Sequence, residues 1–206
     1  MIYYPSDKTN IIERIDTVIN TIKLRLIPTF DSIEEEAKEI EKKKLDELYK
    51  NFNPDTMDIG SCYEDAHSKG ASHYAIHNEM KQEFLNHQAT LLFHIFEKDC
   101  KKMFPKLSGN HLKEKLQEIG ISTEDNSSWY KINKELRLIC NVIKHGAGES
   151  YDKLKTLRGD LFKNNFRFLL KSDIEISLND IEVYGNEMKN FWINFFDIVL
   201  VTEQRI

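Results

Sequence analysis

The sequence predicts an all-α protein, a helical bundle built around one long central helix. Three observations lead there. Apolar residues recur at three- and four-residue steps through most of the chain. Only 8 Gly and 4 Pro occur in 206 residues, too few for the turns of an all-β sandwich. Hydrophobic residues at 40% and charged residues at 31% describe an ordinary packed domain and exclude disorder.

The first helix is expected from about Asn10 to Leu26, where Ile11, Ile15, Val18, Ile19 and Ile22 form one apolar stripe before Pro28. The second begins near Asp31, a suitable N-cap, and carries Ile33, Ala37, Ile40, Leu45 and Leu48. Its charged residues, including Glu39 and Lys43 four apart, read as a solvated face. After the loop Asn53-Pro54-Asp55, a long helix begins in the Ile59 to Gly70 region and runs from about Ser72 to Phe104. Its second half is apolar over most of its circumference, as a central helix requires. Pro105 stops it, and a short helix follows from His111 to Ile119, closed by Gly120.

Ser127 or Ser128 caps the next helix, which reaches about Lys144 with Gly146 as its stop signal. Ser150 caps a short helix through Leu157. The stretch 166–177 (FRFLLKSDIEIS) alone has strand character and is expected to form an extended connector or short hairpin. The last helix runs from Leu178 to about Val199 and opens on an approximate capping box of Ser177 and Asp180. No repeat or linker interrupts the chain. A single domain over 1–206 is expected, with 1–52 as a helical hairpin packed on a bundle formed by 55–206.

Cys62, Cys100 and Cys140 show no CxxC spacing, which fits a reducing cytoplasm and argues against a disulfide framework or zinc ribbon. Met1 to Asp7 lacks the basic-then-apolar pattern of a signal peptide. The apolar runs Leu91 to Phe96 and Phe191 to Val201 are shorter than the ~20 residues a membrane span needs, so no membrane partner is expected.

The net charge is -5, yet it is unevenly spread. Residues 98–115 hold six Lys against Asp99 and Glu114, and residues 131–171 hold ten Lys or Arg against four acids. Such a basic middle either faces a polyanion or pairs with the acidic arms of the same chain. No aromatic residues interleave with these lysines as a base-stacking platform would require.

The stretch ELRLICNVIKHGAGES, residues 135–150, is the richest in chemistry. On a helix, Arg137, Asn141, Lys144 and His145 project to one side, opposite Leu136, Ile139, Cys140 and Ile143. Cations hold a phosphodiester and stabilise charge developing on its oxygens. Imidazole moves protons near neutral pH. Ordinary helix termination also accounts for Lys144, His145 and Gly146 at a helix end, but gives no reason for Arg137 and Asn141.

Asn141, His145 and Gly146 at a helix end in an all-helical chain resemble the HEPN superfamily, the higher eukaryotes and prokaryotes nucleotide-binding domains. The resemblance implies a toxin or antiphage-defence protein: a metal-independent endoribonuclease with no cofactor, or an RNA- or nucleotide-binding derivative. It further implies a homodimer whose motif helices face each other, with His145 transferring protons and Arg137, Asn141 and Lys144 around the phosphate. The chain departs from the family pattern at one place. Cys140 stands where the family places its arginine, Arg137 lies one turn earlier, and Lys144 is the available replacement cation.

On the long helix, His94 and Glu97 interrupt an apolar run. A simple arrangement pairs Glu97 with Arg137 and leaves His94 near Asn141 or His145, supporting the site or fixing helix register. The histidine and carboxylate pairs His73/His77, Glu83/His87 and His94/Glu97 have helical ligand spacing, but HExxH and paired Glu-x-x-His motifs are missing, and no metal site is expected. Trp129 and Trp192 read as packing anchors, and Phe191, Trp192, Phe195 and Phe196 as core or dimer surface. The alternative function is a non-catalytic interaction module, antitoxin-like or regulatory, with a cognate protein partner.

Overall fold

The computed structural model describes residues 3–162 and 173–203, with side chains to residue 201. Helix α1 (Pro5–Thr21) starts earlier than its apolar stripe suggests, because Pro at the first turn needs no amide donor. It passes into a π turn, Ile22–Leu26, and a 3-10 turn, Ile27–Phe30, so Pro28 lies inside a tightened turn instead of ending the helix abruptly. The cap of α2 (Ile33–Lys50) is Ser32, not Asp31, and Ser32 Oγ donates to Glu36 at 2.6 Å. Helix α3 (Ile59–Met103) has 45 residues, about 67 Å at 1.5 Å per residue. Asp58 caps it by accepting from the Ser61 amide at 2.9 Å.

The early start of α3 has a packing cause. Cys62, Ala66 and Gly70 recur every four residues and are buried, forming a seam of small side chains where α3 packs against α2. A Cβ on Gly70 would lie 2.8 Å from the Ala37 carbonyl oxygen. Small residues give close approach without the hydrophobic signal by which a helix is read from sequence. The helical pair is therefore α2 on α3, while α1 packs on α8 (Leu178–Glu203). At that second contact, a Cβ on Gly185 would meet Ile19 Cδ1 at 2.1 Å, so a larger residue there would have to displace the Ile19 side chain.

The core is dominated by α8, whose Tyr184, Met188, Phe191, Trp192, Phe195 and Phe196 are all buried. Phe96 of α3 touches three rings, with centroids 5.2 Å from Phe191, 5.9 Å from Trp192 and 6.0 Å from Trp129. Helix α4 (Gly109–Glu118) follows α3. Ser127 then caps α5 (Ser128–Tyr130) through the Tyr130 amide at 3.1 Å. A π turn, Lys131–Leu136, carries the chain without a break into α6 (Arg137–His145). Gly146 ends α6 at φ 69°, a conformation that favours glycine. Helix α7 (Glu149–Leu157) is preceded by Gly148, so Ser150 is not its cap but lies inside its first turn.

Of the expected connector 166–177, residues 166–172 lie outside the described residues. Residues 173–177 are extended, and Ile174 forms an antiparallel bridge with Phe162. Fully buried Asn86 of α3 substitutes for a second strand. Its Nδ2 donates to the Ile174 carbonyl and its Oδ1 accepts from the Ile176 amide, both at 3.1 Å. Gln82 Nε2 donates to the Ile176 carbonyl at 2.9 Å. These bonds satisfy backbone groups that a lone buried strand would leave orphaned. The Ser177 and Asp180 capping box then starts α8, with Asp180 N–H donating to Ser177 Oγ at 3.1 Å and Ser177 N–H to Asp180 Oδ2 at 2.9 Å. Among the described residues, no helix is long and apolar enough to cross a membrane.

One buried charge ties α1 to α3. The Asp99 side chain is 3% exposed and its partner, the Arg14 guanidinium, is 45% exposed. Burial pushes the Asp99 carboxyl above its ordinary range, and the Arg14 hydrogen bond only partly offsets this. A carboxyl raised in the folded state binds more protons there than when unfolded. Its contribution therefore favours the fold as pH falls through the folded value, and the gain levels off below the unfolded one. Arg14→Ala strands the carboxylate and should cost about 2 kcal/mol or more, whereas Asp99→Asn, which removes the buried charge, should cost less. Urea melts at neutral pH check the order; a costlier Asp99→Asn would contradict it.

Candidate functional site

The polar side of α6 is laid out by helical geometry. At 100° per residue, Arg137, Asn141, Lys144 and His145 fall within roughly 100° of arc, flanked by the buried side chains Leu138, Cys140 and Val142. Arg137, Lys144 and His145 are exposed and Asn141 is half-buried. Their chemical roles separate once partners are considered.

Asn141 Nδ2 donates to Ser150 Oγ at 3.3 Å across the Gly146 turn. This bond ties the end of α6 to the start of α7, so Asn141 shapes the turn that follows the site. Lys144 Nζ lies 2.9 Å from His94 Nε2 on α3. An ammonium has no lone pair, so Nε2 must accept and the imidazole proton sits on Nδ1. Nδ1 faces Glu97 Oε2 at 3.3 Å. Glu97, His94 and Lys144 thus form a chain of contacts across α3 and α6. The chain is open to solvent, with the His94 and Glu97 side chains 49% and 41% exposed.

This corrects two expectations. Glu97 pairs with His94 and not with Arg137, because the three-residue step within α3 brings the two side chains together. His94 meets Lys144 and not Asn141 or His145. Among the described residues, Arg137 and His145 have no hydrogen-bond or ion-pair partner. Arg137 instead lines a pocket between α3, the start of α4 and the π turn, with a volume of about 260 Å³. Trp129, Asn133 and Arg137, four residues apart, all reach it, and Glu97 and Lys101 face it from α3. Sequence reasoning missed Asn133 and Lys101. The four-residue spacing of Trp129, Asn133, Arg137 and Asn141 was the available signal.

Cys140 is 1% exposed, and its Sγ lies 3.8 Å from the Ala89 carbonyl oxygen. Burial pushes its thiol up to about 12, so it stays protonated and inert at neutral pH. The position that the family pattern gives to arginine is here part of the core.

Part of the basic middle pairs with acids of the same chain, as one of the two readings expects. Lys102 pairs with Asp7 at 3.3 Å and Lys131 with Glu187 at 2.5 Å. Arg158 joins Asp160, Asp180 and the Tyr184 hydroxyl at 2.8, 3.0 and 2.7 Å, which ties the chain after α7 to α8. Lys101 and Arg137 make no such pair among the described residues. The candidate metal ligands are spoken for locally: His73 Nε2 lies 3.2 Å from Glu36, and His87 Nδ1 lies 2.7 Å from the Glu83 carbonyl oxygen. Among the described residues, no three His, Cys, Asp or Glu side chains converge as a metal site.

Cys140→Arg would replace a buried thiol with a guanidinium at a position that is 1% exposed. The expected cost is about 3 kcal/mol or more, read as a lowered midpoint in a urea melt; an unchanged midpoint would show that this position is free to turn outward. No protein-family model, no curated protein and no solved structure matches the chain.

Proposed function

We propose that the polar face shared by α3 and α6 binds RNA and cleaves its phosphodiester bonds by proton transfer between side chains. The observation that carries this reading is the Glu97–His94–Lys144 chain beside Arg137, which has no partner among the described residues. One carboxylate faces two permanent cations, leaving the face short of negative charge. A phosphate supplies it.

In this reading, Lys144 and Arg137 hold the phosphate oxygens. As Lys144 swings onto the phosphate it releases the lone pair of His94 Nε2, and Glu97 keeps the imidazole proton on Nδ1. The ribose 2′-oxygen attacks phosphorus and gives its proton to His94. The bond from phosphorus to the 5′-oxygen breaks, and the departing oxygen takes a proton from the His145 imidazolium. The products are a 2′,3′-cyclic phosphate and a 5′-hydroxyl. The resemblance of Asn141, His145 and Gly146 to the HEPN motif supports the same chemistry, a toxin or antiphage-defence role and a homodimer. The burial of Cys140 favours a second reading: a module that binds RNA or a protein partner on this face without cleaving.

Purified protein should cleave single-stranded RNA equally well with and without EDTA. His145→Ala should retain RNA binding and lose cleavage by about 10²-fold or more. Lys144→Ala should weaken binding and reduce the slope of log affinity against log salt by about one. Cleavage by His145→Ala at the wild-type rate would overturn the role of His145. Absence of cleavage by wild-type protein under all metal conditions would leave the binding module.

A further inference from the structure

We infer that the pocket beside the Glu97–His94–Lys144 chain is a nucleotide site that holds one base with its phosphate. Its inner wall is apolar and ring-lined, formed by Phe93, Phe96 and Trp129. Its rim carries Lys101, Asn133 and Arg137. Among the described residues, none of these three rim side chains has a hydrogen-bond or ion-pair partner. They fit different parts of one ligand. The two cations suit a phosphate, and Arg137 presents a planar fork for bidentate contact. The Asn133 amide offers both a donor and an acceptor, which is what the edge of a base requires. The apolar wall suits the base ring itself and gives no advantage to free phosphate.

The pocket is built before any ligand arrives. Trp129 and Phe96 are buried and hold each other at a centroid distance of 6.0 Å. The π turn Lys131–Leu136 carries Asn133 and leads directly into Arg137. Such turns recur at functional positions in helices. Glu97 belongs both to the pocket and to the chain through His94 to Lys144. A nucleotide held here would share its phosphate, through Arg137, with Lys144, which makes cleavage selective for the base in the pocket. This last step rests on the proposed function; occupation of the pocket does not.

Trp129 lines the pocket, so its fluorescence reports occupancy. The four nucleoside 5′-monophosphates, ribose 5-phosphate and inorganic phosphate are titrated into the protein. At least one nucleotide should bind about tenfold more tightly than ribose 5-phosphate or phosphate. Arg137→Ala should weaken nucleotide binding by about tenfold. Arg137 is exposed and has no partner among the described residues, so this variant should fold, and a thermal melt checks that separately. Ser108→Glu would set a carboxylate at the mouth of the pocket against the phosphate. Ser108 is exposed and its side chain makes no cap bond to α4, so the substitution removes no structural contact of that kind. It should abolish nucleotide binding while sparing the melt. Equal affinity for phosphate and nucleotides would overturn the base site, and no binding at all would overturn the pocket. RNA cleavage without nucleotide binding would also refute the pocket while leaving the proposed function standing. Nucleotide binding without RNA cleavage would support the pocket and refute cleavage.

Discussion

The contact of Phe96 with Trp129, Phe191 and Trp192 is the constraint on which the arrangement depends. It joins α3, the helix entering the π turn, and α8 at one point inside the core. Aromatic rings at these distances combine large buried area with set mutual angles, edge-on at Phe191 and tilted at Trp129 and Trp192, which fixes rotation as well as separation. Glu97 follows Phe96 in sequence, and Asn133 and Arg137 follow Trp129 at four-residue steps. Anchoring these rings therefore sets the polar groups of the neighbouring pocket, and among the described residues it leaves the buried Trp192 indole N–H without a partner. His94 lies less than one turn before Phe96, on the opposite, solvent-facing side of α3, where Lys144 reaches it from α6. The apolar core positions the site, and the site costs the core little.

Much of this was legible from sequence because the core uses large apolar side chains at regular spacing. Ile11, Ile15 and Ile19, the aromatic face of α8 and the Ser177 cap are read directly from periodicity and capping chemistry. The first turns of α3 were harder to see because Cys62, Ala66 and Gly70 pack closely without strong hydrophobicity. The role of Asn86 was invisible for another reason. Its partners, Ile174 and Ile176, are nearly ninety residues away, and a single buried amide carries no pattern. The α2–α3 pairing is likewise a tertiary choice that no local signal specifies.

The candidate site was legible as a face and not as a set of contacts. Helical spacing placed Arg137, Asn141, Lys144 and His145 together, and they do share one side of α6. It could not say that Asn141 is held by Ser150, that Lys144 is bound to His94, or that Arg137 opens onto a pocket. These depend on how α3, α4 and α7 surround α6. Cys140 shows how far a motif comparison reaches. A local match aligns residue types, whereas rotation about the helix axis decides which of them meet solvent, and here that rotation turns Cys140 into the core.

In the proposed function, the α3–α6 face receives a phosphodiester through Lys144 and an imidazole held by Glu97. The most direct measurement is the ¹⁵N spectrum of the histidine side chains with and without a 2′-O-methyl RNA oligonucleotide, which binds but cannot supply the attacking hydroxyl. Without RNA, His94 should be in the Nδ1–H tautomer. Saturating RNA should move its Nε2 resonance as Lys144 leaves, with a smaller change at His145 and none at His67 on the distant part of α3. Unchanged His94 and His145 resonances at saturation would place RNA elsewhere and contradict the account.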